Sequence, residues 1–217
     1  VFMALKIAGV AILVMALLTG ALFAYFRKDL DQIRPGEIDK RVQSTVTKYY
    51  DRNDQLLWED KGDGNYKLVV NSENLSENLK NATVAIEDRD FYNHSGVSLT
   101  GTVRAAVNNF SGGSVQGGST LTQQLVKQVF FADEAGDRGL GGIPRKIKEL
   151  ILAVEIERMY DKDQILTLYL NESPYGGRRN GAESGAKTYF HKSAKDLNVA
   201  EASLLAAVPQ NPSVYDP

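Results

Sequence analysis

A run of 20 residues without a formal charge, from Ile7 to Phe26, constrains this chain more than any other feature. About 20 apolar residues suffice for a helix that crosses the hydrocarbon core of a bilayer. The alternative is a cleaved secretory signal, which has an apolar stretch of about 7–15 residues and a small-residue cleavage site. This run is longer and ends in Tyr25 and Phe26 before Arg27, a pattern typical of a membrane interface. It therefore favours a transmembrane anchor over residues 1–26.

The composition excludes several classes of protein. With 25 Lys+Arg against 27 Asp+Glu, the formal net charge is −2, so the chain has no overall positive field for binding nucleic acid. It has no cysteine, which excludes disulfides and thiolate-ligated metals. A hydrophobic content of 43% is enough for a packed core and argues against disorder.

The chain outside the anchor divides into a linker and one domain. Residues 27–44 are polar, contain Pro35 and Gly36, and predict a juxtamembrane linker. Short runs rich in Val, Tyr, Leu and Trp between Thr45 and Val70 predict a small β-hairpin and a third extended piece. Later apolar residues recur at helical spacing, so we expect a mainly α domain over residues 45–217, truncated at its C-terminal end. The stripes are Leu75, Leu79, Ala82 and Ile86; Leu99, Val103, Val107 and Phe110; Leu121, Leu125 and Val129; Ile147, Leu150, Ile151 and Val154 behind Pro144; Ile165, Leu166 and Tyr169 after Asp161; and Leu197, Ala200, Leu204 and Leu205.

Two acidic residues are candidates for chemistry. Glu87 is predicted at the C-terminal end of a helix beside Phe91, where a carboxyl group with a raised pKa can act as a general acid or base. Taken alone, that acidic cluster is more often a solvated helix end. Glu149 lies four residues after Arg145, the spacing of an ordinary ion pair on a helix surface.

The run GGSTLTQQLVKQ (117–128) predicts an anion site. Glycines before Ser119 and Thr120 expose backbone amides and hydroxyls at a helix start, and Gln123, Gln124 and Lys127 follow within two turns. This set suits a pyrophosphate and a sugar, although a capped amphipathic helix is the simpler alternative. The glycine-rich segments 111–119 and 136–142 are predicted to be mobile surface near the site.

Several motifs together resemble a known family. EDRDFYNHSG (87–96), GGSTLTQQLVKQ, RKIKE (145–149) and DQILTLYLN (163–171), followed by GAKTYFHK (185–192), resemble in order the motifs of the peptidoglycan glycosyltransferase domain of class A penicillin-binding proteins and their monofunctional relatives. The resemblance covers residues 45–217. It departs from the family at Gln128, where Asn is usual, at His191, where Gly is common, in the wording of 172–186, and in a longer 132–144 loop.

The resemblance implies a lysozyme-like, two-lobed fold and an enzyme that polymerises lipid II with inversion at C1, releasing undecaprenyl pyrophosphate. It implies that Glu87 is the general base and that Glu149 organises the pyrophosphate region, directly or through a divalent cation such as Mg²⁺ or Mn²⁺. The implied substrate-binding residues are Ser119, Thr120, Gln123, Gln124, Lys127, Arg145 and Arg138. The implied supporting residues are Asp88, Phe91, His94, Gly96, Lys146 and Asn171.

The resemblance also implies partners and a location. The partners are lipid II, the growing lipid-linked glycan, membrane lipid, moenomycin-type inhibitors, a C-terminal transpeptidase domain and other cell-wall synthesis proteins. The domain is expected outside the bacterial cytoplasmic membrane, with the N-terminus of a single-pass anchor in the cytoplasm. Two alternatives stay open: a lysozyme-like peptidoglycan hydrolase, and an inactive glycan-binding domain.

Overall fold

The protein is mainly α-helical, as a computed structural model of residues 2–61, 64–98, 101, 118–132 and 142–215 shows. The helices in this part of the chain are α1 (Phe2–Phe26), α2 (Glu37–Arg41), α3 (Glu77–Glu87), α4 (Leu121–Phe130), α5 (Ile143–Met159), α6 (Lys162–Glu172), α7 (Ala182–Phe190), α8 (Val199–Ala207) and α9 (Pro212–Tyr215). The strands are β1 (Thr47–Tyr50), β2 (Leu56–Asp60), β3 (Tyr66–Lys67) and β4 (Arg179–Asn180). The predicted mainly α class is confirmed, and it is consistent with a lysozyme-like fold.

Helix α1 contains the uncharged run near the start of the chain. Among the described residues, however, no helix meets the combined demands of length and apolar character for crossing a bilayer. The transmembrane anchor therefore stays a prediction.

The predicted hairpin is present. Strands β1 and β2 pair antiparallel with Thr47 opposite Asp60, and the Asp51 carboxylate accepts hydrogen bonds from the backbone amides of Asn53 and Gln55 in the turn, both at 2.8 Å. The third extended piece, β3, does not extend this hairpin. It pairs in parallel with β4, more than 100 residues later, a non-local partner that local sequence patterns cannot identify.

Residues 27–44, predicted to be a linker, contain regular structure and contribute to the core. They form a 3₁₀ segment (Arg27–Ile33) and α2, and Ile33, Ile38 and Val42 are buried in the main hydrophobic core. Three apolar side chains spaced among polar ones are enough to fix such a segment on the domain. The boundary between linker and domain remains a prediction.

Local capping signals explain where the site-bearing helices begin and end. The Ser76 hydroxyl caps α3, which ends at Glu87 as expected. Thr120 caps α4, Pro144 lies in the first turn of α5, and Asp161 forms a capping box at the start of α6. These signals place the candidate acids and cations on rigid helix ends.

Packing brings these helices together. Helix α4 packs against α5 and α6, and α3 packs against α8. The apolar stripe of α4 is fully buried at Leu121 and Leu125. His191 ends α7 with φ of 54°, in the left-handed region where glycine is usually favoured. The predicted helix over Leu99–Phe110 and most of the two glycine-rich segments lie outside the described residues.

Candidate active site

A cleft of about 1510 Å³ contains both candidate acids. Its walls include the end of α3, the first two turns of α4, part of α5 and the end of α6. Glu87, Ser119, Lys127 and Glu149 all line it. The cleft thus unites residues from three separate sequence motifs.

Glu87 is the last residue of α3 and is partly buried. Its Oε2 accepts a hydrogen bond from Gln124 Nε2 at 2.9 Å, while Oε1 is buried and accepts none within the described structure. Burial raises the pKa of Glu87 above its ordinary value; the Gln124 hydrogen bond opposes this rise, and the neighbouring Asp88 charge adds to it. A carboxylate that is costly to keep charged and has an oxygen without a partner suits a general base.

Glu149 has a different environment on α5. It is only 1% exposed, and its two oxygens accept from Arg145 Nη1 at 2.5 Å and Lys146 Nζ at 3.0 Å. The expected pair with Arg145 is confirmed, but it is not an ordinary surface pair. Each Glu149 oxygen thus contacts a cationic side chain, and a divalent cation at Glu149 stays a prediction. No metal-binding group of His and acidic residues occurs in the described ranges.

Lys146 connects its own motif, RKIKE (145–149), with the helix start in GGSTLTQQLVKQ (117–128). Besides Glu149, its ammonium contacts Ser119 Oγ at 2.8 Å and Gln123 Oε1 at 3.2 Å. Lys127 also lines the cleft, but within the described chain it makes no ion pair or hydrogen bond. The cations beside Glu149 are therefore Arg145 and Lys146, and Lys127 does not contact it within the described chain.

Thr120 and Gln123 are engaged within the protein. The Thr120 hydroxyl is buried and donates to the Gly96 carbonyl at 2.8 Å, and Gln123 Nε2 donates to the same carbonyl at 3.1 Å. Gly96 has φ of +85°, and a Cβ there would lie 2.7 Å from the Ala153 carbonyl oxygen. Only glycine therefore allows the close approach that places this carbonyl beneath α4.

Asp88 joins α3 to α4. Its Oδ2 accepts from the Leu121 backbone amide at 3.0 Å and contacts His94 Nε2 at 2.9 Å. Phe91 is fully buried, with the Lys162 ammonium 4.4 Å from its ring centroid. These contacts fix the position of Glu87 relative to α4, which is a supporting role.

Two further residues of the cleft lining, Lys67 and Glu172, were not singled out by the sequence. Lys67 and Glu172 form an ion pair at 2.8 Å, with side chains 9% and 13% exposed. Asn171, a predicted supporting residue next to Glu172, exchanges two hydrogen bonds with the backbone of Val70. Lys67 and Glu172 are 105 residues apart, so the sequence gives no signal that they form an ion pair. Arg138, a predicted cation, lies outside the described residues.

Comparison with known proteins identifies the family of this chain. The family described as Transglycosylase matches residues 53–217. Penicillin-binding protein 1A of Rickettsia bellii (strain RML369-C) is 36% identical over 220 residues, covering 100% of this chain and 26% of that protein. The proteins of the same name from Mycolicibacterium smegmatis and Aquifex aeolicus are 37% and 43% identical, covering 96% and 70% of this chain and 26% and 20% of their own length.

The chain therefore spans about a quarter or less of the length of these relatives. The family match nonetheless includes every described residue of the cleft except Thr45. On this ground the chain belongs to the transglycosylase family and corresponds to the transglycosylase domain of class A penicillin-binding proteins.

Proposed function

We propose that this chain is an inverting peptidoglycan glycosyltransferase that polymerises lipid II into β-1,4-linked glycan. The observation that carries the proposal is one cleft lined by a carboxylate suited to be a base, by Lys127, and by Glu149, which contacts the cations Arg145 and Lys146. In the reaction, the 4-hydroxyl oxygen of the acceptor N-acetylglucosamine bonds to C1 of the donor. The bond from C1 to the pyrophosphate breaks, and its electron pair leaves with undecaprenyl pyrophosphate.

Glu87 takes the proton of the attacking hydroxyl in this proposal. The Gln124 amide holds one carboxylate oxygen, which leaves Oε1 as the proton acceptor. The raised pKa of Glu87 makes the carboxylate a stronger base than an exposed glutamate. Attack from the face opposite the pyrophosphate inverts C1 from α to β.

Cations stabilise the leaving group. Departure of a pyrophosphate needs positive charge more than it needs a proton donor. We assign this role to Lys127, which is open to the cleft, and to Arg145 and Lys146, which Glu149 holds in place. Ser119 supplies a hydroxyl beside Lys146. A requirement for Mg²⁺ or Mn²⁺ stays a prediction, with no step assigned to it.

The lipid tail of the substrate gives the predicted anchor a purpose. A substrate that never leaves the bilayer has a higher effective concentration for an enzyme held at the same surface. We therefore propose an extracytoplasmic domain on a single-pass anchor. The name of the relatives, penicillin-binding protein 1A, favours a transpeptidase domain as a partner in the whole protein.

The direct test is incubation of the detergent-solubilised protein with labelled lipid II, with and without moenomycin and with and without divalent cations. We expect long glycan strands that a β-1,4-specific muramidase degrades, and inhibition by moenomycin. An absence of polymer, or shortening of preformed strands without use of lipid II, would contradict the proposal and favour a hydrolase.

A further inference from the structure

Two successive hydrogen bonds join Tyr169 on α6, Gln124 on α4 and the candidate base, Glu87. The Tyr169 hydroxyl lies 3.4 Å from Gln124 Oε1 and donates to it. The other end of the same amide, Nε2, donates to Glu87 Oε2 at 2.9 Å. Tyr169 is fully buried, so water does not compete for its hydroxyl. The two contacts occupy opposite ends of one amide.

We propose that Tyr169 is a positioning residue for glycosyl transfer, whose hydroxyl holds Gln124 in the orientation that donates to Glu87. This inference rests on the proposed function. Tyr169 touches neither the cleft nor the reacting atoms; it acts only through Gln124.

Tyr169 restrains the Gln124 amide when Glu87 is protonated. A protonated carboxyl can donate a hydrogen bond, and a free amide would then rotate to present its oxygen. That rotation would stabilise protonated Glu87 and raise its pKa, so less of Glu87 would be in the carboxylate form on the acid side of the pH range. The Tyr169 hydroxyl opposes the rotation, because Oε1 would lose its donor and the buried hydroxyl would have to turn its hydrogen away in order to accept from Nε2. Gln124 therefore favours the charged carboxylate throughout the reaction.

The Tyr169 hydroxyl is suited to remain a donor at all working pH values. Its burial and the nearby Glu87 charge raise the pKa of Tyr169 well above its ordinary value of 10.0. It stays protonated, so the acid side of a pH profile cannot report its own titration.

Other titratable groups around Glu87 are accounted for. Asp88 acts on it electrostatically from the adjacent position. The one ionisable residue of α8, which packs against α3, is Glu201, and it is paired with Lys192. Burial and the Glu87 charge raise the pKa of Tyr175, as they raise that of Tyr169. The charged residues that share the cleft are Lys67, Arg89, Lys127, Glu149 and Glu172. None of the charged residues is altered by the substitutions used below, and Tyr175 is changed only in the control variant.

The test is the pH dependence of kcat/KM for lipid II polymerisation by the Tyr169→Phe protein. We expect the acid limb to move upward by about half a pH unit, or about threefold in rate on that limb, with KM on the plateau unchanged. Tyr175→Phe is the matched control: this residue is also fully buried and close to Glu87, but its hydroxyl has no hydrogen-bond partner among the described residues. Its acid limb should coincide with that of the wild type.

A second variant tests whether Tyr169 acts on Glu87 through Gln124. Gln124→Met removes both ends of the amide at similar volume and should shift the acid limb in the same direction by more. In that background Tyr169→Phe should have no further effect, since coupled residues are not additive. An unshifted limb in Tyr169→Phe, an equal shift in Tyr175→Phe, or full additivity with Gln124→Met would each overturn the inference. A wild-type protein that makes no polymer would instead contradict the proposed function.

Discussion

Glu87 and Glu149 are the same residue type in one cleft, but their surroundings differ. Glu87 has one uncharged partner, Gln124, and an oxygen without one in the described structure. Glu149 is more deeply buried and contacts two cations, Arg145 and Lys146. Burial without a counter-charge prepares a carboxylate to accept a proton, whereas two bound cations make it an organiser of positive charge. The difference shows that the surroundings of each glutamate, and not its residue type, decide which role we propose for it.

The largest effect should follow Glu87→Gln. Removal of the base is expected to reduce lipid II polymerisation by about 10²–10⁴-fold, the usual contribution of general base catalysis. Polymer yield by gel electrophoresis of labelled product measures it. Glu77→Gln, on the exposed side of the same helix, is the matched control and should polymerise normally. If the Glu87→Gln protein retained more than about a tenth of the activity, Glu87 would not be the base.

Glu149→Gln should also reduce activity, by about 10²-fold, because the cations at the leaving group lose their counter-charge and their position. Unlike Glu87→Gln, it should lower the melting temperature, since it leaves buried charge contacts unbalanced. Glu155→Gln changes another glutamate of α5 that is paired with an arginine and serves as control. Normal activity together with normal melting would mean that Glu149 has no role at the site.

Lys127→Ala tests the cation that is not fixed by Glu149. We expect a loss of about 10- to 100-fold in turnover, consistent with one or two charge-assisted hydrogen bonds. Moenomycin, which presents a phosphoglycerate, should also bind more weakly by calorimetry. Lys127→Arg should restore activity only in part, because a planar guanidinium does not replace a compact ammonium.

Lys40→Ala provides the control, because this lysine is exposed on α2. Its moenomycin affinity should equal that of the wild type. Equal affinity in the Lys127→Ala protein as well would remove Lys127 from the phosphate site.

The smallest effect concerns stability. Since burial raises the pKa of Glu87 in the fold above its ordinary value of 4.5, protonation favours folding, and the charged form at neutral pH costs stability. Glu87→Gln should therefore raise the free energy of unfolding at pH 7. Below pH 4.5 the gain should disappear. Urea unfolding at both pH values measures it, and an equal gain at the two would contradict the stated cause.

Local features of this chain were predictable because they depend on near neighbours. The helix that ends at Glu87, the start of α5 around Pro144 and the cap at Asp161 follow from apolar spacing and capping chemistry. The family's motifs identified Glu87 and Glu149 as the acids to examine, which spacing alone could not do.

Features that depend on distant parts of the chain were missed. The sequence gives no reason to pair β3 with β4 or to bury Ile33 of the predicted linker. It also could not show that the Gln124 amide contacts Glu87, 37 residues away. Such contacts depend on how α3 packs against α8 and α4 against α5 and α6, and packing is decided by the whole core.

The division of work between the two carboxylates is tested most directly by one set of pH profiles. The acid limb of kcat/KM for lipid II polymerisation should be measured in the wild type, Glu87→Gln and Glu149→Gln. We predict a wild-type limb centred above 4.5, the ordinary value for glutamate. The residual activity of Glu87→Gln should lack that limb, and Glu149→Gln should keep it at a lower rate. A limb that survives in Glu87→Gln and vanishes in Glu149→Gln would contradict the account.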